Sequence, residues 1–356
     1  MPENELELPK HLLIMRLSAI GDVAMTVPVV LALRQQYPDL KITIVSRPFF
    51  KAFFSSIPDI NFYAADIENS KNGVFGLYKI YKELAKTDID AFADLHNVLR
   101  SKVISSFFKW NGVPVASLHK DRAARKKLTD LQPKKISPMM TLIDRHAQAC
   151  EKLGLPIDLS KVVLLKKRSL SNTVQKFAGD KNTKWLGIAP FATYETKMYP
   201  LNLMLEVIKL QVQEDCKIFL FGGGKDEENE LESLASISDK CINVAGKLTF
   251  DQELELISHL DLMLSMDSGN GHMAAMFGIP VMTMWGNTHP FAGFVPFRQG
   301  IENSLVPDLQ KYPFIPTSVY GNKNVDGYVD CMKSIKPEDV FLKIKSLLTS
   351  SKTKIN

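Results

Sequence analysis

LDLMLSMDSGNGHMAAMFGIPVMTMWGNTHP, residues 260–290, carries the pattern that decides the fold. It opens on an apolar run, Leu260 to Met266, short enough for a buried strand. Asp267-Ser268-Gly269-Asn270-Gly271 breaks that run and offers an N-cap. A compact apolar helix is expected from His272 to Phe277, then Gly278, then a second buried strand from Pro280 to Trp285. Strand, glycine-rich turn and helix N-terminus in that order form an anion site. Unpaired backbone N–H groups and the positive end of the helix dipole face one point there. Gly269 and Gly271 are expected to let the backbone approach a ligand that a side chain would hold off. An ordinary βα turn has the same look, so the turn alone leaves phosphate binding and plain structure both open.

The same unit recurs outward in both directions. At 356 residues the chain exceeds one ordinary core, which points to two domains. In the first half, His11–Leu17, Lys41–Ser46, Ile60–Ala64, Ile89–Leu95 and Val113–Leu118 read as strands. Helices are expected over Val23–Tyr37, Val74–Ala85, Val98–Trp110 and Met139–Leu153. The polar span 166–184 reads as a linker. The alternation then restarts, with strands at Trp185–Pro190, Lys217–Phe221 and Ile242–Ala245 and helices at Leu201–Gln213, Glu227–Ser238 and Phe250–His259. Arg298–Tyr328 is rich in Pro and Asn and reads as loop; Val340–Leu348 reads as a last helix. The expectation is two doubly wound, Rossmann-like α/β domains, 1–165 and 185–335, with 336–356 as a terminal helix and tail. Such sheets bind ligands at the carboxyl ends of their strands, here in a cleft between the domains.

Composition narrows the function. The chain is 45% hydrophobic and 23% charged, as ordinary globular proteins are. Cys150, Cys216, Cys241 and Cys331 are scattered without metal or disulfide spacing, which fits a reducing compartment. The acidic start MPENELELPK is no signal peptide, and no apolar run nears the roughly 18 residues of a membrane span. A soluble, cytoplasmic protein is expected. Its net charge of +5 is unevenly placed. Lys120, Arg122, Arg125, Lys126, Lys127, Lys134 and Lys135 face only Asp121 and Asp130, and Lys166, Lys167 and Arg168 form a second cluster. A solvated helix face, an anionic membrane surface and a phosphorylated substrate all fit. Nucleic acid fits poorly, since no aromatics interleave the basic run. Asp88-Ile89-Asp90 spells the DxD of metal-dependent sugar transferases, but at the start of a strand, the wrong end for a cleft. No metal or cofactor is expected.

Three stretches, in order along the chain, carry a resemblance. MRLSAIGDVAMTVPVVLALRQQYP (15–38) resembles the opening strand, turn and helix of family 9 glycosyltransferases, the lipopolysaccharide heptosyltransferases. MDSGNGHMAAMFGIPVMTMWGNTHP (266–290) resembles their second hallmark, and Cys331-Met332 with Pro337-Glu338 their ending. The resemblance implies the GT-B architecture, with the acceptor mainly on the first domain and the nucleotide sugar mainly on the second.

It also implies roles. Asp22 matches the family's catalytic aspartate; from the residues alone, capping of the following helix is the first reading. Arg16, Ser18 and Gly21 line the same turn toward the acceptor, although Arg16 reads equally as a surface cation. Lys197, before the helix near Leu201, stands where the family has a cation beside the donor phosphates, and Thr193 is a second phosphate contact. Asp267, Ser268, Gly269, Asn270, Gly271 and His272 form the donor turn. Asp267 is an odd phosphate ligand and is expected to orient the loop or a sugar hydroxyl. Glu227 or Glu228 is placed on the nucleotide ribose. Arg145 resembles an acceptor-binding arginine, and Arg122 and Arg125 suit an anionic acceptor. Thr141 replaces a histidine of some relatives, which puts identical acceptor contacts in doubt.

The expected reaction is inverting, metal-independent heptosyl transfer. The donor is a nucleotide-diphosphate sugar, ADP-L-glycero-D-manno-heptose by resemblance. The acceptor is a lipopolysaccharide core sugar reached by peripheral contact with the inner membrane. Two rivals stand beside it: an epimerase or another sugar transferase on this architecture, and a nucleotide-sugar binding protein without catalysis.

Overall fold

The computed structural model describes residues 8–66 and 73–350. Residues 1–7 of the acidic start and residues 351–356 of the final tail lie outside the described residues. The chain divides into two compact units, 1–120 with 142–165, and 121–141 with 166–356.

The first unit is a parallel sheet of β1 (His11–Met15), β2 (Lys41–Ser46), β3 (Ile60–Ala64), β4 (Ala91–Asp94) and β5 (Val115–Ser117), in spatial order β3-β2-β1-β4-β5. Leu12 to Met15 are at most 1% exposed, as expected of a central strand covered on both faces. Met15 lies opposite Val45 and Asp94, so the segments after β1, β2 and β4 leave the sheet at one edge. The helices are α1 (Ile20–Ala24), α2 (Val27–Gln36), α3 (Lys51–Phe54), α4 (Gly73–Leu84), α5 (Leu99–Trp110) and, after α6 (Arg122–Leu128), α7 (Leu142–Glu151). One core forms between the sheet and α4 and α5, around Leu13, Phe92, Ile104 and Phe108.

The single helix expected over Val23–Tyr37 is two. Pro28 lacks an N–H and sits in the first turn of α2, so the chain restarts there, and the Thr26 hydroxyl closes α1 by donating to the Val23 carbonyl.

The second unit is a parallel sheet of β6 (Lys184–Ala189), β7 (Cys216–Leu220), β8 (Cys241–Asn243), β9 (Leu262–Met266), β10 (Val281–Met284) and β11 (Ser304–Leu305), in order β11-β10-β9-β6-β7-β8. Its helices are α8 (Asn172–Ala178), α9 (Leu201–Gln211), α10 (Lys225–Ala235), α11 (Phe250–Ile257), α12 (Gly269–Met276) and α13 (Pro337–Ser350). β11 interrupts the stretch expected to be loop; two residues paired to Thr283 and Met284 leave too little periodicity to be read from sequence. A separate core is built from β6, β7, β9, α9 and α13.

Two boundaries differ from expectation. The span 166–184 contains α8 and belongs to the second unit, because the Arg168 amide donates to Ser258 Oγ (3.1 Å) and the Ser171 amide to Glu255 Oε2 (2.8 Å). Residues 121–141, expected on the first domain, group with the second. Lys134 Nζ donates to the carbonyls of Asp130 (2.6 Å), Phe314 (2.9 Å) and Pro316 (2.9 Å), and the Met139 amide donates to Phe291 O (2.9 Å). Among the described residues, no helix is long and apolar enough to cross a membrane.

Candidate functional site

In the first unit, chemistry gathers where β1 and β4 end. Asp22 falls in the first turn of α1, whose N-cap is Ala19, so the capping role open to it is not the one it plays. Its carboxylate, about a quarter exposed, pairs with the Arg16 guanidinium, which is nearly buried. Arg16 also donates from Nε to Ser18 O (2.8 Å) and from Nη1 to Leu95 O (2.6 Å). Arg16 is therefore no surface cation. It ties the β1 turn to the β4 turn and fixes the Asp22 carboxylate between them, spreading three donors of a planar fork over three acceptors as lysine could not.

His96, not singled out from sequence, stands in this cluster. Its Nε2 lies 3.4 Å from Ser18 Oγ. Asp94, fully buried, builds the turn that presents it by accepting from the amides of His96 (3.1 Å) and Asn97 (2.8 Å) and from Ser101 Oγ (3.0 Å). Burial raises the Asp94 pKa against the opposing pull of those donors. A histidine directly after a buried strand, within Asp-Leu-His-Asn, was the available signal. Burial first, then Arg16, lowers the His96 imidazole to about 4, with Asp22 pulling the other way. An unfolded imidazole titrates near 6.5, so as pH falls the unfolded chain takes up this proton first. His96 thus withdraws stability between about pH 6.5 and about pH 4. His96→Gln is expected to lose less stability on acidification than the parent, read as the difference in urea midpoint between about pH 7 and about pH 5. Equal losses would contradict the assignment.

In the second unit, the strand ends after β6, β9 and β10 emerge together, with Ala189 opposite Ser265 and Met266 opposite Met284. Lys197 closes a short 3-10 turn, and its Nζ lies 3.0 Å from Asp267 Oδ2; both side chains are nearly buried. Asp267, expected to orient the loop or a sugar hydroxyl, thus pairs with the cation. An ammonium has three donors, so this pair leaves two for a ligand. The Asn287 amide donates to Thr196 O (2.9 Å), and Thr196 Oγ1 donates to Gly321 O. Gly321, at φ +80°, packs against the Lys197 stem: a Cβ there would lie 2.4 Å from Lys197 Cδ.

The turn expected to hold the donor differs in two respects from expectation. Helix α12 begins at Gly269, so Gly269, Asn270 and Gly271 form its first turn after the N-cap Ser268, whose side chain makes no cap bond. Their amides have no acceptor within the helix and keep the anion-binding geometry. Gly271 serves packing rather than close ligand approach. A Cβ there would lie 2.6 Å from Ser265 Oγ and 3.2 Å from Val281 Cγ1, beneath the helix. His272 is buried in the same turn at 6% exposure.

The remaining candidates divide. Thr193 is exposed in the loop before Lys197. Glu227 accepts from the Gly223 amide (2.8 Å) and closes its own turn, whereas Glu228 lies 3.5 Å from Lys225 Nζ. Ser18 and Gly21 are partly exposed beside Asp22. Arg145 is 2% exposed on the packed face of α7. Arg122 is exposed on α6, and Arg125 stacks on the Tyr320 ring (5.3 Å to its centroid), both in the second unit. Asp90 of the DxD look-alike accepts from the amides of Lys10 (2.8 Å) and His11 (3.0 Å) and so starts β1.

A family model described as Glycosyltransferase family 9 (heptosyltransferase) matches residues 77–313. The chain is 28% identical over 292 residues to the lipopolysaccharide core heptosyltransferase OpsX of Haemophilus influenzae, covering 80% of this chain and 81% of that one. It is 24% identical to lipopolysaccharide heptosyltransferase 1 of Campylobacter coli, over 94% and 98% of the two chains. Among solved structures, a family 9 glycosyl transferase from Veillonella parvula superposes with a TM-score of 0.73 at 18% identity, covering 96% and 97%. The E. coli ADP-heptose lps heptosyltransferase II does so with 0.69 at 19%, covering 96% and 100%.

Proposed function

The chain belongs to glycosyltransferase family 9, the heptosyltransferases, and from that premise we propose inverting transfer of a heptose from ADP-L-glycero-D-manno-heptose to a lipopolysaccharide inner-core sugar. Relatives named for lipopolysaccharide heptosyl transfer support the substrate classes. The observation that carries the mechanism is the Lys197 ammonium held beside Asp267 at the N-terminus of α12. Asp22 takes the proton from the acceptor hydroxyl as its oxygen bonds to the anomeric carbon. The bond from that carbon to the diphosphate oxygen breaks on the opposite face, and configuration inverts. Lys197 and the first-turn amides of α12 meet the charge that grows on the departing diphosphate, so no metal is required. Thr193 and Ser268 add hydroxyl donors, and Glu227 or Glu228 meets the ribose. Because the acceptor is lipid-anchored, the enzyme works in peripheral contact with the cytoplasmic face of a membrane.

Two measurements test this. A ligand that binds only the native state raises the melting temperature, so in a panel of nucleotide sugars ADP-heptose is expected to give the largest rise. Heptose transfer from it to a core acceptor is expected with release of ADP. Stabilisation by a different nucleotide sugar alone, with no transfer from ADP-heptose, would overturn the reading.

A further inference from the structure

We propose that the outer face of α4 and α5, in the first unit, is the surface that meets an anionic lipid bilayer. Val74, Phe75 and Tyr78 of α4 are 59%, 82% and 41% exposed, and Leu99 and Trp110 of α5 are 79% and 78% exposed. Leu99 and Trp110 lie opposite the packed side of α5, which is Ser101, Ile104, Ser105 and Phe108. Phe75 lies opposite that of α4, which is Leu77, Ile80, Tyr81 and Leu84, with Val74 and Tyr78 at its edge. Leu99, Val103, Phe107 and Trp110 fall on one stripe by helical spacing. Ring contacts join the helices into one strip: Tyr78 to Phe107 at 5.2 Å, and Phe107 to Trp110 at 5.8 Å between centroids. Contiguous exposed apolar surface of this kind marks an interaction site.

Charge selects the occupant. The two helices carry five basic residues, Lys79, Lys82, Arg100, Lys102 and Lys109, against one acidic, Glu83, which accepts from the Tyr63 hydroxyl. Lys82 Nζ lies 5.9 Å from the Tyr78 ring centroid, beside the apolar strip. Aromatic rings with lysines at their rim match a bilayer interface, where the rings sit at headgroup level and the ammoniums reach the phosphates. A second copy fits worse, because a two-fold interface sets the same basic rim against itself. The surface deepens the reading that the acceptor is held in a membrane. Vesicle binding without donor or acceptor and transfer to a lipid-free acceptor separate a failure of one from a failure of the other.

The full chain is titrated with vesicles of phosphatidylcholine alone and of phosphatidylcholine with phosphatidylglycerol. Trp185 and Trp285 are fully buried, so a change in tryptophan emission reports Trp110. The expected result is co-sedimentation with the anionic vesicles and a blue shift, with binding about tenfold weaker on neutral ones. Phe75→Ser, and Phe75→Ser with Trp110→Ser, are expected to lose that binding about tenfold. Their melting temperature and transfer to a water-soluble acceptor should hold, since both side chains face solvent. Wild type that ignores anionic vesicles, or variants that bind as tightly as wild type, would overturn the proposal. So would a concentration-dependent dimer abolished by the same substitutions.

Discussion

Asp22→Asn is expected to lower kcat for transfer by about two to four orders of magnitude while donor affinity holds. The amide keeps the carboxylate's shape and can still accept the Arg16 hydrogen bond, but it cannot take up the acceptor's proton. Asp22→Ala is the poorer probe. It would leave the nearly buried Arg16 guanidinium without its carboxylate, which costs stability whatever the catalytic role. The comparison is therefore made at the asparagine variant, with kcat from ADP release and donor affinity from titration. Unchanged kcat would remove Asp22 as the base. Lost donor affinity would give it a structural role instead. Burst or single-turnover kinetics would show whether the loss falls on the chemical step.

How far these residues could be read from sequence depended on how local their signals are. The apolar runs of β1, β6 and β9 announce central parallel strands because both of their faces must be buried, and turns at strand ends are where such sheets place ligands. That reasoning reached the turns that hold Asp22, Lys197 and Asp267, and the resemblance singled out Asp22 and Lys197 within them. It did not reach the Lys197–Asp267 pair, because those partners come from different strand-end loops whose meeting depends on the sheet order. Arg16 was ambiguous for the same reason: its acceptors Ser18 and Asp22 are near in sequence, but Leu95 comes from another strand. Gly271 looked like a ligand-approach glycine and is a packing glycine, since sequence does not show which side of a helix meets the sheet. The basic run 120–135 showed its charge but not its anchorage. Lys134 is held by the carbonyls of Asp130, Phe314 and Pro316 and Arg125 by Tyr320; all but the Asp130 contact reach across the sequence of the second unit.

The second large effect concerns Lys197, which meets the diphosphate in the proposed mechanism, and Gly321, which packs against the Lys197 stem. Lys197→Ala is expected to lower kcat about 100- to 1,000-fold, the usual loss when one fixed donor to a developing anion is removed. Gly321→Ala is expected to reproduce much of that loss at a distance. A methyl group at Gly321 would lie 2.4 Å from Lys197 Cδ and 2.5 Å from Cγ, so the stem must swing away from Asp267. Backbone strain at φ +80° adds a stability cost of about 1 kcal/mol, which alone would mimic a damaged enzyme. Gly327 separates the two effects. It shares the strained conformation at φ +78°, yet a Cβ there meets nothing within 4 Å. Gly327→Ala should therefore lower the melting temperature by a similar amount and leave kcat unchanged, whereas Gly321→Ala lowers both. Equal kcat in the two variants would mean that Lys197 needs no such support, and the ion pair with Asp267 alone would then have to hold it in place.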